Sequence, residues 1–376
     1  MARTTIVHVL WSISVLFASA SHVYHIPSVV SNRSSTAHFT SAASGLDAPK
    51  IHPVNSSSFD WWYFDVVSSD PSSLASVVVA FYTTTANAFP FLAPSDTVTV
   101  AQIAVSFPNG TTFGATVNAD GATVTSDENL SSGDWHNSGF KWTHTGDSTY
   151  TVVVDAPDIG VKGTISFHSV APAHYPCGPA VAGQNMEVGP GIGWANAVPD
   201  AAAAVKLTVG GTKLVFKGLG YHDKNWGNEL FTTNIAVWYW GHGRLGPYSI
   251  VWFDFFALDG REYVSSYAAK DGRIIAASCA PNSIRVRPTG ENSTFPPVLS
   301  TGNPSGYHIT LALAPAATLE MDVVVTGILV DNVFSEYTRA VATITGRLVP
   351  AEGHQLGHAA EVLKGKALFD QVKMTA

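Results

Sequence analysis

Phe59-Asp60-Trp61-Trp62-Tyr63-Phe64-Asp65 reads as a β-strand without a polar face. Successive side chains of a strand leave opposite sides. Asp60, Trp62 and Phe64 therefore share one side, and Trp61, Tyr63 and Asp65 the other. Both sides are aromatic. A strand in a barrel wall has an interior and an exterior, so one face can pack a core while the other lines a cavity. The plainer alternative is a strand buried between two sheets.

Outward from this stretch, β-branched and aromatic runs bounded by Gly, Pro, Asn and Asp recur at 74–84, 98–107, 150–155, 161–170, 213–221, 234–241, 248–258, 308–313, 319–325 and 337–348. No long segment keeps a 3.6-residue apolar period. Pro108-Asn109-Gly110, Asp259-Gly260 and Asp271-Gly272 are hairpin signals. The short Ala run within Asp200 to Val205 is expected in a loop. The fold class is all-β, and residues 51–376 are long for one core but comfortable for two. Two β domains, 51–230 and 231–376, are expected, with a junction near Gly227 to Thr232.

The first residues fit export. An apolar run from Ile6 to Phe17 ends at Ala18-Ser19-Ala20, so 1–20 reads as a signal peptide. The run is too short and too interrupted for a stable membrane span. Residues 21–50 are poor in apolar side chains and read as a flexible leader. Asn32, Asn55, Asn109, Asn129 and Asn292 lie in Asn-x-Ser/Thr acceptors, consistent with a secreted or lumenal glycoprotein. In an oxidising compartment the two cysteines, Cys177 and Cys279, can form one bridge. No spacing of Cys and His suggests a metal site.

Of 376 residues, 46% are hydrophobic and only 13% charged, which excludes extended disorder beyond the leader. A net charge of -8 without a basic run argues against nucleic acid as a partner. The expected ligand is an apolar, partly aromatic small molecule. Oligomeric state is not legible.

A second motif, Gly218-Leu219-Gly220-Tyr221-His222-Asp223-Lys224-Asn225-Trp226-Gly227, crowds titratable groups between glycines. A shielded site could move such pKa values towards neutrality; a hydrogen-bonded turn locking two domains is the alternative. Trp238-Tyr239-Trp240-Gly241-His242 follows, with Trp238, Trp240 and His242 on one face. Trp and Tyr offer rigid area with a polar tip, suited to stacking a planar ligand.

These two blocks resemble the hydroxyneurosporene synthase-like and AttH-like superfamily, which includes the fungal Diels-Alderases. Phe59 to Asp65 is similar to its acidic-Trp-Trp-Tyr-Phe-Asp strand, with Asp60 for the commoner Glu. Gly220 to Gly227 is similar to its Gly-Tyr-His-Asp-His-Asn-Trp-Gly element, with Lys224 for the commoner His. The resemblance implies two lipocalin-like domains with a pocket at or near their interface, and a cofactor-independent cyclase. Its secreted branch implies a hetero-Diels-Alder reaction, of a tropolone quinone methide with a sesquiterpene alkene.

In that picture Trp61, Trp62, Tyr63, Tyr221, Trp226, Trp238, Trp240 and His242 hold the substrate. His222, Lys224 and Tyr239 donate to a carbonyl, and Asp223 orients His222. Two rivals use the same cavity: a hydratase of an isoprenoid double bond with Asp65 or Asp223 as acid, and a non-catalytic carrier. Gly241 to Gly246 satisfies G-x-G-x-x-G but joins two strands, so it is a hairpin turn rather than a nucleotide site. His354 and His358 lack the Glu of a zincin. No G-x-S-x-G occurs, and nothing selects a glycosidase pair of carboxylates.

Overall fold

The computed structural model describes residues 21–42, 45–127, 129–313, 317–331, 337–350 and 361–375. The signal peptide expected over 1–20, and His354 and His358, lie outside them. Two large antiparallel sheets form the molecule, which is lipocalin-like and all-β as expected. The first runs from His22–Pro27 at one edge to Thr112–Asn118 at the other. Its middle strands are Val161–Ser169, Ile192–Val209, Thr212–Gly227, Phe59–Ser68 and Ser76–Thr84. The second is centred on Tyr248–Ala257, Ile235–Leu245, Leu363–Lys373 and Tyr337–Pro350. The chain passes between the sheets after Gly227, through a short 3-10 turn at Phe231–Thr233.

All ten residues of Phe59–Ser68 are buried, because the strand separates two cores. Trp62, Phe64 and Val66 enter the interior of the first sheet with Phe81, Trp135 and Trp142. Phe59, Trp61 and Tyr63 enter a second core that includes Trp194, Tyr221, Trp238, Trp240 and Phe253. Each such side chain contributes roughly 1.5–3 kcal/mol by leaving water. Ile235–Leu245 divides its residues likewise: Trp238 and Trp240 join the shared core, Val237 and Tyr239 a third one inside the second sheet.

Two expectations are corrected. Residues 21–50 do not form a free leader: His22–Pro27 pairs with Gly121–Ser126, and Asp47, Ala48 and Lys50 are buried. Backbone pairing and buried polar contacts anchor this segment without apolar density. The Ala run is not a loop but part of Ile192–Val209, where Ala201 and Ala203 are buried and Ala202 faces solvent. Pairing on both sides overrides the weak strand preference of Ala. Close approach also matters there: a Cβ on Gly193 would lie 2.1 Å from the Trp226 ring.

Gly241 to Gly246 does form the end of a hairpin, with Gly246 at φ +56 closing the turn between Ile235–Leu245 and Tyr248–Ala257. Cys177 and Cys279 are disulfide-bonded. The bond ties the loop after His174–Tyr175, beside the first sheet, to the end of Arg273–Ser278 in the second. Among the described residues no helix is long and apolar enough to cross a membrane.

Candidate active site

A cavity of about 570 Å³ lies between the sheets. Its aromatic lining comes from both: Trp61, Tyr63 and Tyr82 from the first, Trp238, Trp240 and Tyr337 from the second, and Phe89, Phe91 and Phe231 from connecting segments. Asp223, Asn225, Arg339 and Asp370 add polarity.

The second motif is a strand here, not a turn, and alternation divides it. Asp223 pairs with Tyr63 and Asn225 with Trp61 in register, so these four share the cavity face. His222, Lys224 and Trp226 face the other way.

Asp223 is 3% exposed. Its Oδ2 accepts from Trp194 Nε1 at 2.8 Å and from Tyr221 Oη at 2.7 Å. Its Oδ1 has no hydrogen-bond partner among the described residues. Burial pushes the carboxyl up to about 6, against the lowering effect of those two donors. Tyr221 Oη in turn accepts from Trp240 Nε1 at 3.2 Å, so both sheets fix the acid's orientation. A carboxyl raised to about 6, with one free oxygen in an aromatic cavity, can give and take a proton.

His222 and Lys224, expected to act as donors to the substrate, do not reach the cavity. His222 stacks on Phe64 with ring centres 3.8 Å apart. Its Nδ1 lies 2.9 Å from Tyr63 O and its Nε2 2.9 Å from Asp47 Oδ1. Asp47 Oδ2 also accepts from Ser131 and Tyr150. Burial alone would raise the Asp47 carboxyl, but His222 and these hydroxyls hold it well below the usual range. Lys224 pairs with Asp60, and its Nζ lies 3.7 Å from the centre of the Trp62 ring. Asp60 also accepts from the Lys50 backbone N–H at 2.7 Å. These groups fasten the 21–50 segment into the first sheet.

Of the other expected contacts, Trp61, Tyr63, Trp238 and Trp240 line the cavity. Trp62 points into the first core, its Nε1 donating to Asp47 O at 2.8 Å. Trp226 packs beside Phe39 and donates to His38 O. Tyr239 faces the third core, where it packs against Tyr307. Tyr221 and His242 stand behind the lining: His242 Nε2 lies 3.0 Å from both Asp65 oxygens, and its ring stacks under Tyr221. For Trp62, Trp226 and Tyr239 one step of strand alternation decides the side, whereas Tyr221 and His242 keep the parity of the lining and lie one pair further along their strands.

Sequence reasoning missed Asn225, Arg339 and Asp370. Neither of the last two stands out locally, since Tyr337–Pro350 also holds Arg347 and Leu363–Lys373 also holds Lys364, Lys366 and Lys373. Among the described residues no three His, Cys, Asp or Glu are grouped to hold a metal ion.

An aromatic cavity between curled β-sheets, with a protonatable acid held by indole and phenol donors, fits an enzyme that acts on a small molecule. The chain belongs to the Diels-Alderase-like family, whose model matches residues 19–287. It is 37% identical over 362 residues to the quinolone epoxide rearrangement protein penF of Penicillium thymicola, across 93% of this chain and 95% of that protein. The quinolone epoxide rearrangement protein asqO of Emericella nidulans is 39% identical over 280 residues, across 74% of this chain and 76% of its own. Among solved structures, CghA with Sch210972 superposes with a TM-score of 0.73, over 94% of this chain and 99% of that one. At 19% identity that likeness shows the fold alone.

Proposed function

We propose that this enzyme isomerises a quinolone-type epoxide without a cofactor, with Asp223 as the general acid. The observation that carries this is the free Oδ1 of a buried carboxyl whose proton is retained up to about pH 6, inside an aromatic cavity. The likeness to penF and asqO along most of the chain supports the substrate class.

In the reaction, the Asp223 carboxyl gives its proton to the epoxide oxygen as a carbon–oxygen bond breaks, and the bonding pair stays on oxygen. Positive charge develops on carbon, where the faces of Trp61, Trp238 and Trp240 attract it. A migrating group or an internal nucleophile fills that centre. The proton released returns to the Asp223 carboxylate, so substrate and product are isomers. Incubating the purified protein with a quinolone epoxide tests this: an isomeric product formed faster than without protein supports it, and an unchanged rate rejects it.

Cycloaddition is the second reading, favoured by the family itself. The cavity would then hold diene and alkene in a reactive pose, which can supply roughly 7–11 kcal/mol for an ideally held pair. The tropolone quinone methide and sesquiterpene alkene expected from the sequence belong to this reading. Export through the secretory pathway is part of the same proposal. Support comes from the Cys177–Cys279 bond and from the exposed acceptors Asn32, Asn109, Asn129 and Asn292; Asn55 is half-buried. A mass decrease on enzymatic removal of N-glycans from the native protein checks it.

A further inference from the structure

The cavity has a second polar pole that the proposed acid step does not use. Arg339 and Asp370 are register partners on adjacent strands and form a two-point ion pair, Nε to Oδ1 at 2.8 Å and Nη2 to Oδ2 at 2.7 Å. Tyr337 Oη donates to Asp370 Oδ2 at 2.9 Å. Arg339 is 8% exposed, lines the cavity, and its Nη1 has no hydrogen-bond partner among the described residues. Its guanidinium carbon lies 5.0 Å from the centre of the Tyr63 ring. Tyr63, which also lines the cavity, has a buried hydroxyl with no partner among the described residues.

A buried donor without an acceptor is costly. Here the Tyr63 hydroxyl is such a donor, and the neighbouring Arg339, whose guanidinium lines the cavity, adds an unpartnered cationic one. The charge of Arg339 is already balanced by Asp370, so a carboxylate or phosphate arriving here would meet a neutral pole with an anion inside it. A neutral acceptor suits it better. The surrounding walls are flat indole and phenol rings, which favour a planar body.

We propose that Arg339 and Tyr63 receive a carbonyl oxygen of the substrate, so that the cavity selects a planar molecule bearing an amide- or lactam-type carbonyl. This rests on the cavity being the substrate site. Because Tyr63 is the cross-strand neighbour of Asp223, the carbonyl receptor and the acid share one wall and set the substrate's orientation together.

The test uses two planar bicyclic probes, 2-quinolone, which bears the lactam carbonyl, and naphthalene, which has no acceptor, each bound to the full chain and followed by equilibrium dialysis. Wild-type protein is expected to prefer 2-quinolone by about 10-fold or more. Tyr63→Phe and Arg339→Lys should each cut that preference by about 5–10-fold while leaving naphthalene affinity unchanged. Tyr63→Phe should also be at least as heat-stable as wild type, since it removes an orphaned donor; if Arg339→Lys does not fold, this variant decides alone. No preference in wild type, or equal losses for both probes, overturns the receptor. A clear preference in a protein that leaves quinolone epoxides unchanged supports the receptor and removes only the catalytic reading.

Discussion

Tyr63 and Asp223 are paired in register across adjacent antiparallel strands, so a phenol and a carboxyl leave the sheet side by side into the same cavity. Neither is free to turn away, because both strands are buried along this stretch. The chemistry of the site is set by this pairing and by the donors that fix one oxygen of the acid.

Asp223→Asn keeps the shape and removes the proton. Turnover is expected to fall by about 10²–10⁴-fold, with substrate affinity changed far less. Steady-state kcat and KM on the purified variant check this, and unchanged kcat would remove Asp223 from the reaction.

The pH dependence has a definite sign. Asp223 works in its protonated form, and its folded-state value of about 6 means activity is full below that pH and declines as pH rises through it. Stability moves the same way. The raised value means the folded state holds the proton more tightly than the unfolded one. Ionisation therefore costs stability between about pH 4 and 6, on the order of 2–3 kcal/mol in all. Denaturant melts of wild type and Asp223→Asn across that window should differ in slope, the variant being flatter.

His222→Ala leaves the Asp47 carboxylate buried without its main partner. A loss of about 3–5 kcal/mol is expected, read as a lower urea midpoint, while activity per folded molecule is retained. The Asp47 contribution carries the opposite pH sign from that of Asp223. Its carboxyl is held low in the folded state, so its stabilisation is present above the ordinary carboxylate range and lost as pH falls through it.

Trp238→Leu tests the aromatic wall. Removing one π face from a developing cation costs about 0.5–2 kcal/mol, a drop of about 2–30-fold in kcat by transition-state arithmetic. A larger change in KM than in kcat would assign Trp238 to ground-state packing instead.

Cys177→Ser should lower stability by about 2–5 kcal/mol, since it unties the loop at the first sheet from the edge of the second. Thermal melts with and without reductant read the effect, and reductant should not alter the variant.

Much of the fold was legible because strand patterning is local: the aromatic alternation at Phe59 to Asp65 and the hairpin signals depend on neighbours in sequence. Which face of that strand opens to a cavity was not, since both faces are apolar and only the partners assembled from residues 81–142 and 194–253 distinguish them. The Gly220 to Gly227 motif was visible as a cluster of chemistry. Read as one group it puts His222 and Lys224 beside Asp223; folded as a strand it separates them. Asp47 lay hidden in a polar segment whose anchoring comes from contacts with Ser131, Tyr150 and His222, far along the chain. Arg339 and Asp370 meet only through strand register, which no local pattern reveals.

The Phe59–Ser68 strand, with one core on each side, gives the sequence two vocabularies written on alternate letters. Positions 62 and 64 answer to the interior of the first sheet, positions 61 and 63 to the cavity. Changes at the odd positions can therefore redirect what the cavity accepts while the even ones go on holding the protein together. A lineage built on this strand can explore new substrates without renegotiating its fold.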